Sequence, residues 1–144
     1  MRASTLLTAV LELPGVRVSE AAVVDGELRV TVRLRRRRLA CPKCPFTARH
    51  RYDTREVDSS WRHLDLGGRI CRIAMRRRRL RCPEHGVLAE GVPFARDRDR
   101  SGHTRDFEDL VAWLVTKTDK TTVSGFARIL SRVSDGLCTR STLS

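Results

Sequence analysis

Two short motifs, Cys41-Pro42-Lys43-Cys44 and Cys82-Pro83-Glu84-His85, constrain this chain more than any other feature. In each, two residues separate a pair of soft donors. That spacing lets a tight turn aim both side chains at one ion. Three thiolates and one imidazole suit zinc in a closed tetrahedron, with no position left for water, so the ion is expected to be structural. The expected ligands are Cys41, Cys44, Cys82 and His85, with His50 and His63 competing for the fourth place. Thirty-seven residues lie between Cys44 and Cys82, and a hairpin at Gly67-Gly68 would fold that interval back on itself. Cys71 sits mid-strand and reads as a small buried apolar residue. Cys138 lies in the tail and is given no role. The other reading of the pairs is reduced surface turns or a disulfide. A disulfide is not expected in a chain with no secretion signal.

The charge is as informative as the cysteines. The net formal charge is +12, and residues 29–81 hold 18 of the 29 basic residues but only 4 of the 17 acidic ones. The excess is therefore a patch, of the kind that recruits polyanions. Arg outnumbers Lys 26 to 3. Its planar fork binds phosphate through two hydrogen bonds at once, although a GC-rich coding sequence would also enrich it. Two unbroken runs stand out: Arg35, Arg36, Arg37 and Arg38 before the first knuckle, and Arg76, Arg77, Arg78 and Arg79 before the second. If one ion joins the knuckles, the runs are held near each other as a clamp on a phosphate backbone. The plainer reading is a charged strand edge that blocks aggregation. Four consecutive arginines, twice, exceed what that needs. Aromatic residues make up only 5% of the chain, which gives little support to base stacking on single strands.

Periodicity supplies the elements. Residues 4–12 read as a short helix or an extended lead-in, ended by Pro14 and Gly15. Val16–Val24 and Glu27–Leu34 flank Asp25-Gly26, a strong hairpin signal. A second hairpin joins residues 61–66 to residues 69–80 through Gly67-Gly68, with Trp61 in its core. Residues 92–102 mix Pro93 with alternating Asp and Arg and read as a linker. Thr104 then looks like an N-cap, followed by Phe107, Leu110, Val111 and Leu114 at helical spacing. A second helix is expected to start after Thr121 or Thr122, with Val123, Phe126, Ala127 and Leu130 on its apolar face. The fold class is α+β: an N-terminal antiparallel β-hairpin, a zinc ribbon with its own antiparallel hairpin, then two short α-helices. The expected division is 1–40 for the hairpin region, 41–85 for the ribbon, 86–103 for the linker, 104–133 for a helical pair or partial helix-turn-helix, and 134–144 for an unstructured tail.

No His-x-Glu precedes a Pro-Cys-x-x-Cys, as a zinc deaminase needs. There is no Gly-rich phosphate loop and no Ser/His/Asp set, so the chain is not expected to be an enzyme. The longest apolar run, residues 6–11, is too short to span a bilayer. A cytoplasmic, nucleoid-associated protein without a membrane partner is expected.

The order of motifs carries a resemblance. Cys41-Pro-Lys-Cys44 is followed by Arg51-Tyr52-Asp53, then by Trp61-Arg-His-Leu-Asp-Leu-Gly-Gly68, an Arg-rich strand and Cys82-Pro-Glu-His85. Gly91-Val-Pro-Phe-Ala-Arg96 and His103-Thr-Arg-Asp-Phe-Glu-Asp-Leu-Val-Ala-Trp-Leu114 complete the series. Over residues 16–124 this resembles the N-terminal region of the ISL-three family of bacterial insertion-sequence transposases. The resemblance implies that the zinc module and a following helix-turn-helix bind double-stranded DNA at the terminal inverted repeats of the element. It places the zinc ligands at Cys41, Cys44, Cys82 and His85. It also implies self-association or contact with a full-length transposase as a further partnership. The family continues into an RNase H-like catalytic domain that has no counterpart here, and from Gly125 the sequence departs from the family pattern, as a truncated or frameshifted copy would. The competing readings are a remnant without a role, and a zinc ribbon for RNA or protein contact.

Overall fold

The computed structural model describes residues 2–96, 102–119 and 121–123. The chain divides into two compact units, Met1–Phe107 and Glu108–Ser144. In the first, helix α1 (Ala3–Leu11) leads into strands β1 (Val16–Val24) and β2 (Glu27–Leu34). Short strands β3 (Leu39–Ala40), β4 (Thr47–Ala48) and β5 (Asp53–Thr54) follow. Then come β6 (Ser59–Leu66), β7 (Arg69–Met75), β8 (Arg78–Cys82), β9 (Gly86–Ala89) and helix α2 (Arg105–Lys117). The architecture is α+β, as the periodicity predicts.

Both expected hairpins form, for a local reason. Asp25 and Gly26 have φ of 51° and 77°, and Gly67 and Gly68 have 60° and 73°. Two successive left-handed residues give the turn whose twist matches paired strands. Val24 then faces Glu27, and Leu66 faces Arg69.

The two hairpins are joined in one four-stranded sheet, in the order β1-β2-β7-β6. The join is parallel: Leu28 lies beside Cys71 and Val30 beside Ile73. A strand expected in the N-terminal hairpin region therefore pairs with one from the ribbon region. One face of this sheet carries the main core, where Val16, Val18, Val30, Val32, Trp61, Cys71, Ile73 and Met75 pack with Leu11, Leu13 and Phe94. Trp61 meets Phe94 edge-on at 5.0 Å between ring centroids. Cys71 is fully buried as expected, and burial pushes its thiol up to about 11. The loop after α1 touches the segment around Pro93. A side chain at Gly15 (φ 69°) would come within 2.9 Å of the Pro93 ring, so only glycine fits there.

Residues 69–80 do not run as one strand. β7 ends at Met75 and β8 begins at Arg78, in a different sheet. The chain changes sheets at Arg76 and Arg77. Met75 ends the four-stranded sheet, and Leu80 begins a second core inside a three-stranded sheet ordered β5-β8-β9.

Beyond β9, the chain returns along the edge of β6. The Arg62 N–H donates to Gly102 O at 2.7 Å, and the Thr104 N–H to Arg62 O at 2.8 Å. Thr104 then caps α2, its Oγ1 accepting the Phe107 N–H at 3.3 Å, as the sequence predicts. The same hydroxyl lies 2.7 Å from His63 Nδ1 in a fully buried pair. Arg62, 3% exposed, fills the space beside it, bonding His63 O, Cys71 O and Asp65 and lying over the Phe107 ring.

Burial lowers the His63 pKa below the ordinary 6.5; Asp106 works against the shift and Arg62 adds to it. A group with a depressed folded pKa binds more protons when unfolded in that window. Its contribution to stability is thus complete above pH 6.5 and is lost as pH falls through the folded value. The melting temperature should therefore drop on acidification below about pH 6.5. His63→Gln should show a shallower slope in the same buffers, and equal slopes would contradict this role.

In the second unit, Val111 is the buried member of the expected apolar stripe, while Leu110 is exposed. Asp119 caps a further helical start. Its carboxylate accepts the Thr122 N–H at 2.8 Å, and residues 121–123 are helical. The second helix thus begins a residue or two earlier than Thr121 or Thr122 suggests. Phe126, Ala127, Leu130, Cys138 and the tail 134–144 lie outside the described residues. Among the described residues, no helix is long and apolar enough to cross a membrane.

Candidate metal centre and nucleic-acid interface

Each knuckle is the turn of a small hairpin. β3 and β4 pair antiparallel around residues 41–46, and the Cys41 N–H closes that turn on Phe46 O at 2.9 Å. β8 and β9 pair around the second knuckle, with Cys82 opposite Gly86. Gly86 takes φ of 74°, which lets the chain reverse directly after His85. Leu39, Leu80, Cys41 and Cys82 are buried together, with Phe46, Ala48 and Leu88 against them. That cluster is a very small core for two turns to share.

The four donors converge. One atom from each of Cys41, Cys44, Cys82 and His85 lies within 4.8 Å of the others. Cys44 Sγ and Cys82 Sγ are 3.5 Å apart, and His85 Nδ1 is 3.5 Å from Cys82 Sγ and 3.7 Å from Cys41 Sγ. A tetrahedron with Zn–S of about 2.3 Å and Zn–N of about 2.0–2.1 Å has edges of roughly 3.5–3.8 Å. These three separations match the edges of a zinc tetrahedron, and the whole donor set is gathered closely enough to hold the ion.

The acid–base chemistry points the same way. The Phe46 backbone N–H favours the Cys44 thiolate, but burial and the neighbouring Cys82 and Cys41 sulfurs outweigh it and hold this thiol up at about 11. Cys82 falls to about 6: burial opposes its ionisation, and the His85 contact with backbone N–H groups of Glu84 and His85 overcomes it. One sulfur is already a favoured thiolate, and its neighbour is kept neutral by crowding. A dication removes that conflict by letting every thiol ionise. His50 is exposed and His63 is buried against Thr104, so neither joins this cluster. Three thiolates and an imidazole close the coordination sphere, so the ion would hold the two hairpins together and carry out no reaction.

The two arginine runs do meet. Arg78 Nη1 donates to Arg37 O at 3.4 Å, which ties the loop before β3 to β8. Their side chains have different surroundings. Arg76, Arg78 and Arg79 all face carboxylates: Arg76 pairs with Asp58 at 3.2 Å, Arg78 with Glu90 and Arg79 with Asp53. The Arg79 guanidinium beside Asp53 holds that carboxyl below the usual carboxylate range. Arg77 donates to Glu90 O at 3.1 Å and lies over Trp61. Arg35, Arg36, Arg37 and Arg38 are all exposed. Arg35 bonds Val16 O, Arg36 bonds Gly91 O and Arg38 bonds Thr47 Oγ1. These acceptors are neutral, so the first run keeps its net charge and the second is largely compensated.

Glu90 was not singled out by the sequence, yet it organises this region. It is 1% exposed and grips Arg78 through both oxygens, at 2.9 and 2.8 Å. Removing one member of a buried pair strands the other charge and costs about 3–5 kcal/mol, whereas an exposed pair contributes about 0–1 kcal/mol. Glu90→Ala should therefore lower unfolding free energy by about 3 kcal/mol in a urea titration. Arg76→Gln, at a side chain 60% exposed, should change it by less than about 1 kcal/mol. Equal effects would contradict the division drawn between these two residues.

A fold stapled by a closed Cys3His site, with short hairpins as its knuckles, is a zinc ribbon. Residues 47–85 match the family described as the zinc-finger of transposase IS204/IS1001/IS1096/IS1165. That match includes Cys82 and His85 and starts just after the first knuckle, which the geometry supplies. Over 118 residues the chain is 35% identical to the transposase for insertion sequence element IS1557 of Mycobacterium tuberculosis, from strain CDC 1551 / Oshkosh and equally from strain ATCC 25618 / H37Rv. The alignment takes 81% of this chain and 26% of those transposases, so the chain spans about a quarter of their length. No solved structure matches it. Residues 47–85 are thus similar to the zinc-finger of ISL-three-type transposases, and most of the chain is similar to a part of one insertion-sequence transposase.

Proposed function

We propose that this chain is a DNA-binding part of an insertion-sequence transposase and does not itself break or join strands. Zinc held by Cys41, Cys44, Cys82 and His85 fixes the two knuckles, and the fixed knuckles hold the arginine loop rigid. Arg35, Arg36, Arg37 and Arg38 then grip backbone phosphates of double-stranded DNA at the terminal inverted repeats of the element. Arg76 reaches the same ligand from the rim, while Arg77, Arg78 and Arg79 brace the surface. The observation that carries this reading is the contrast between the runs: the first is exposed and bonds only neutral acceptors. Uncompensated, closely spaced guanidinium groups are the electrostatic footprint of a phosphate-backbone ligand.

The test is duplex binding at physiological salt, comparing the ends of the element that encodes the chain with a scrambled duplex of equal length. Preference for the end sequence by about tenfold or more supports an end-binding module. Equal, steeply salt-dependent binding to both would reduce the proposal to a backbone grip. Absence of binding to either would overturn it.

A further inference from the structure

The first unit contains a second cationic feature, to which the arginine runs contribute only Arg36 and Arg77. A cavity of about 650 Å³ opens beside the first knuckle, between Ala40–Pro42, the start of β6 and the segments around Pro93 and Gly102. Its volume is in the range of small-ligand sites. Five arginines line it: Arg36, Arg55, Arg77, Arg96 and Arg105. Ser59, Ser60 and Trp61 form part of the wall. Among the described residues, no carboxylate lines it.

A second cavity of about 550 Å³ gives the comparison. It is also lined by four arginines, but Glu20, Asp58 and Glu90 line it with them. There Arg76 pairs with Asp58 and Arg78 with Glu90. In the first cavity, Arg36 bonds the Gly91 carbonyl and Arg55 the Ser59 hydroxyl, both neutral acceptors. Arg105, the first residue of α2, is exposed. Like charges gathered around one concave space repel one another over distances shorter than the screening length of about 8 Å. A bound anion would offset the charge of Arg36, Arg55 and Arg105, for which the described wall has no carboxylate. Guanidinium forks gathered around one space suit phosphate oxygens.

We propose that this cavity is a phosphate pocket, which receives one or two backbone phosphates of nucleic acid through Arg36, Arg55 and Arg105. The pocket is too small to admit a duplex, so a duplex can offer it only protruding backbone. Arg36 belongs both to the exposed run and to the pocket wall, so the pocket continues the grip inward. The assignment of nucleic acid as the source of the phosphate rests on the proposed function; the pocket as a phosphate site does not.

The test uses the full chain loaded with zinc. Trp61 lines the pocket, and Trp113→Phe removes the other tryptophan, leaving one reporter. Inorganic pyrophosphate should change Trp61 emission saturably. Arg55→Gln with Arg105→Gln should weaken that response at least tenfold while zinc content and melting temperature stay unchanged. No saturable response, or an equal response in the double variant, would overturn the pocket. The same double variant should lower the slope of log K against log salt for duplex binding by about 0.9 for each phosphate it no longer neutralises. If pyrophosphate binding is abolished but the duplex slope is unchanged, backbone phosphate is overturned as the ligand. If the parent chain binds pyrophosphate but no duplex, the DNA reading falls separately, and a free phosphate compound becomes the ligand in place of nucleic acid.

Discussion

Cys82→Ser is expected to abolish stoichiometric zinc binding and to produce the largest loss of stability of any single substitution in the chain. Cys82 sits at the end of β8, is 2% exposed and contacts both His85 and Cys44. Structural zinc in small fingers contributes roughly 10–16 kcal/mol of apparent binding free energy at neutral pH, and that energy is folding energy. The apolar cluster around the ribbon is too small to compensate, because Leu39, Leu80, Phe46 and Leu88 supply most of it. At about 1.5–3 kcal/mol for each fully buried large side chain, such a cluster roughly offsets the ordering of its own few turns. The variant should therefore lose the ordered hairpins of residues 39–48 and 78–89, seen as rapid amide exchange there. The β1–β2 hairpin, with its own core face, should exchange more slowly. A Cys71→Ser variant is the control: it disturbs the main core and should leave zinc content at one ion per chain. Full zinc content in Cys82→Ser would contradict the ligand assignment.

The second large effect is expected on nucleic-acid affinity. Replacing Arg35, Arg36, Arg37 and Arg38 together by glutamine should weaken duplex binding by about 100-fold or more at physiological salt. It should also lower the salt slope by about 0.9 for each phosphate left without its arginine. Zinc content should not change, because these side chains bond only Val16 O, Gly91 O and Thr47 and do not touch the donors. The same replacement of Arg76, Arg77, Arg78 and Arg79 should act mainly on stability. It would leave Glu90 buried without its cation and Asp53 without its partner. A salt slope that falls equally in both variants would show that the acidic partners release the second run when DNA arrives, and the division between grip and brace would then fail.

Much of this arrangement was legible because it is local. Asp25-Gly26 and Gly67-Gly68 adopt positive φ, and any pair of alternating strands across such residues closes as a hairpin. The two-residue spacing of Cys41 with Cys44, and of Cys82 with His85, constrains the turns in the same way. Thr104 announced α2 because capping is decided within one turn. What the sequence hid is non-local. Nothing in residues 27–34 or 69–75 specifies that β2 and β7 lie side by side and parallel, since each has the same apolar face available to several neighbours. The change of sheet at Arg76 and Arg77 was hidden by the basic run itself, which masks where the alternation shifts phase. The partners of that run were hidden too. Asp53, Asp58 and Glu90 are isolated in the sequence, and only the pairing of β5, β8 and β9 and the fold of the intervening loops bring them to the arginines.

The same separation explains why counting arginines overstates the grip. Eight basic residues in two runs suggest one clamp. The structure gives three of the second run carboxylate partners and leaves the first run facing neutral acceptors. Charge that is answered inside the fold adds little to a field seen by DNA.

The central claim is that zinc sets the position of the DNA-gripping loop. The most direct measurement is the salt dependence of duplex binding for zinc-loaded protein and for protein stripped by a chelator, at matched concentration. The loaded protein should bind with the steeper slope, and stripping should weaken binding by about tenfold or more and flatten the slope, because the arginines are no longer held together. The same affinity and the same slope with and without zinc would contradict the account, and would mean that the arginine loop grips DNA without the ribbon that flanks it.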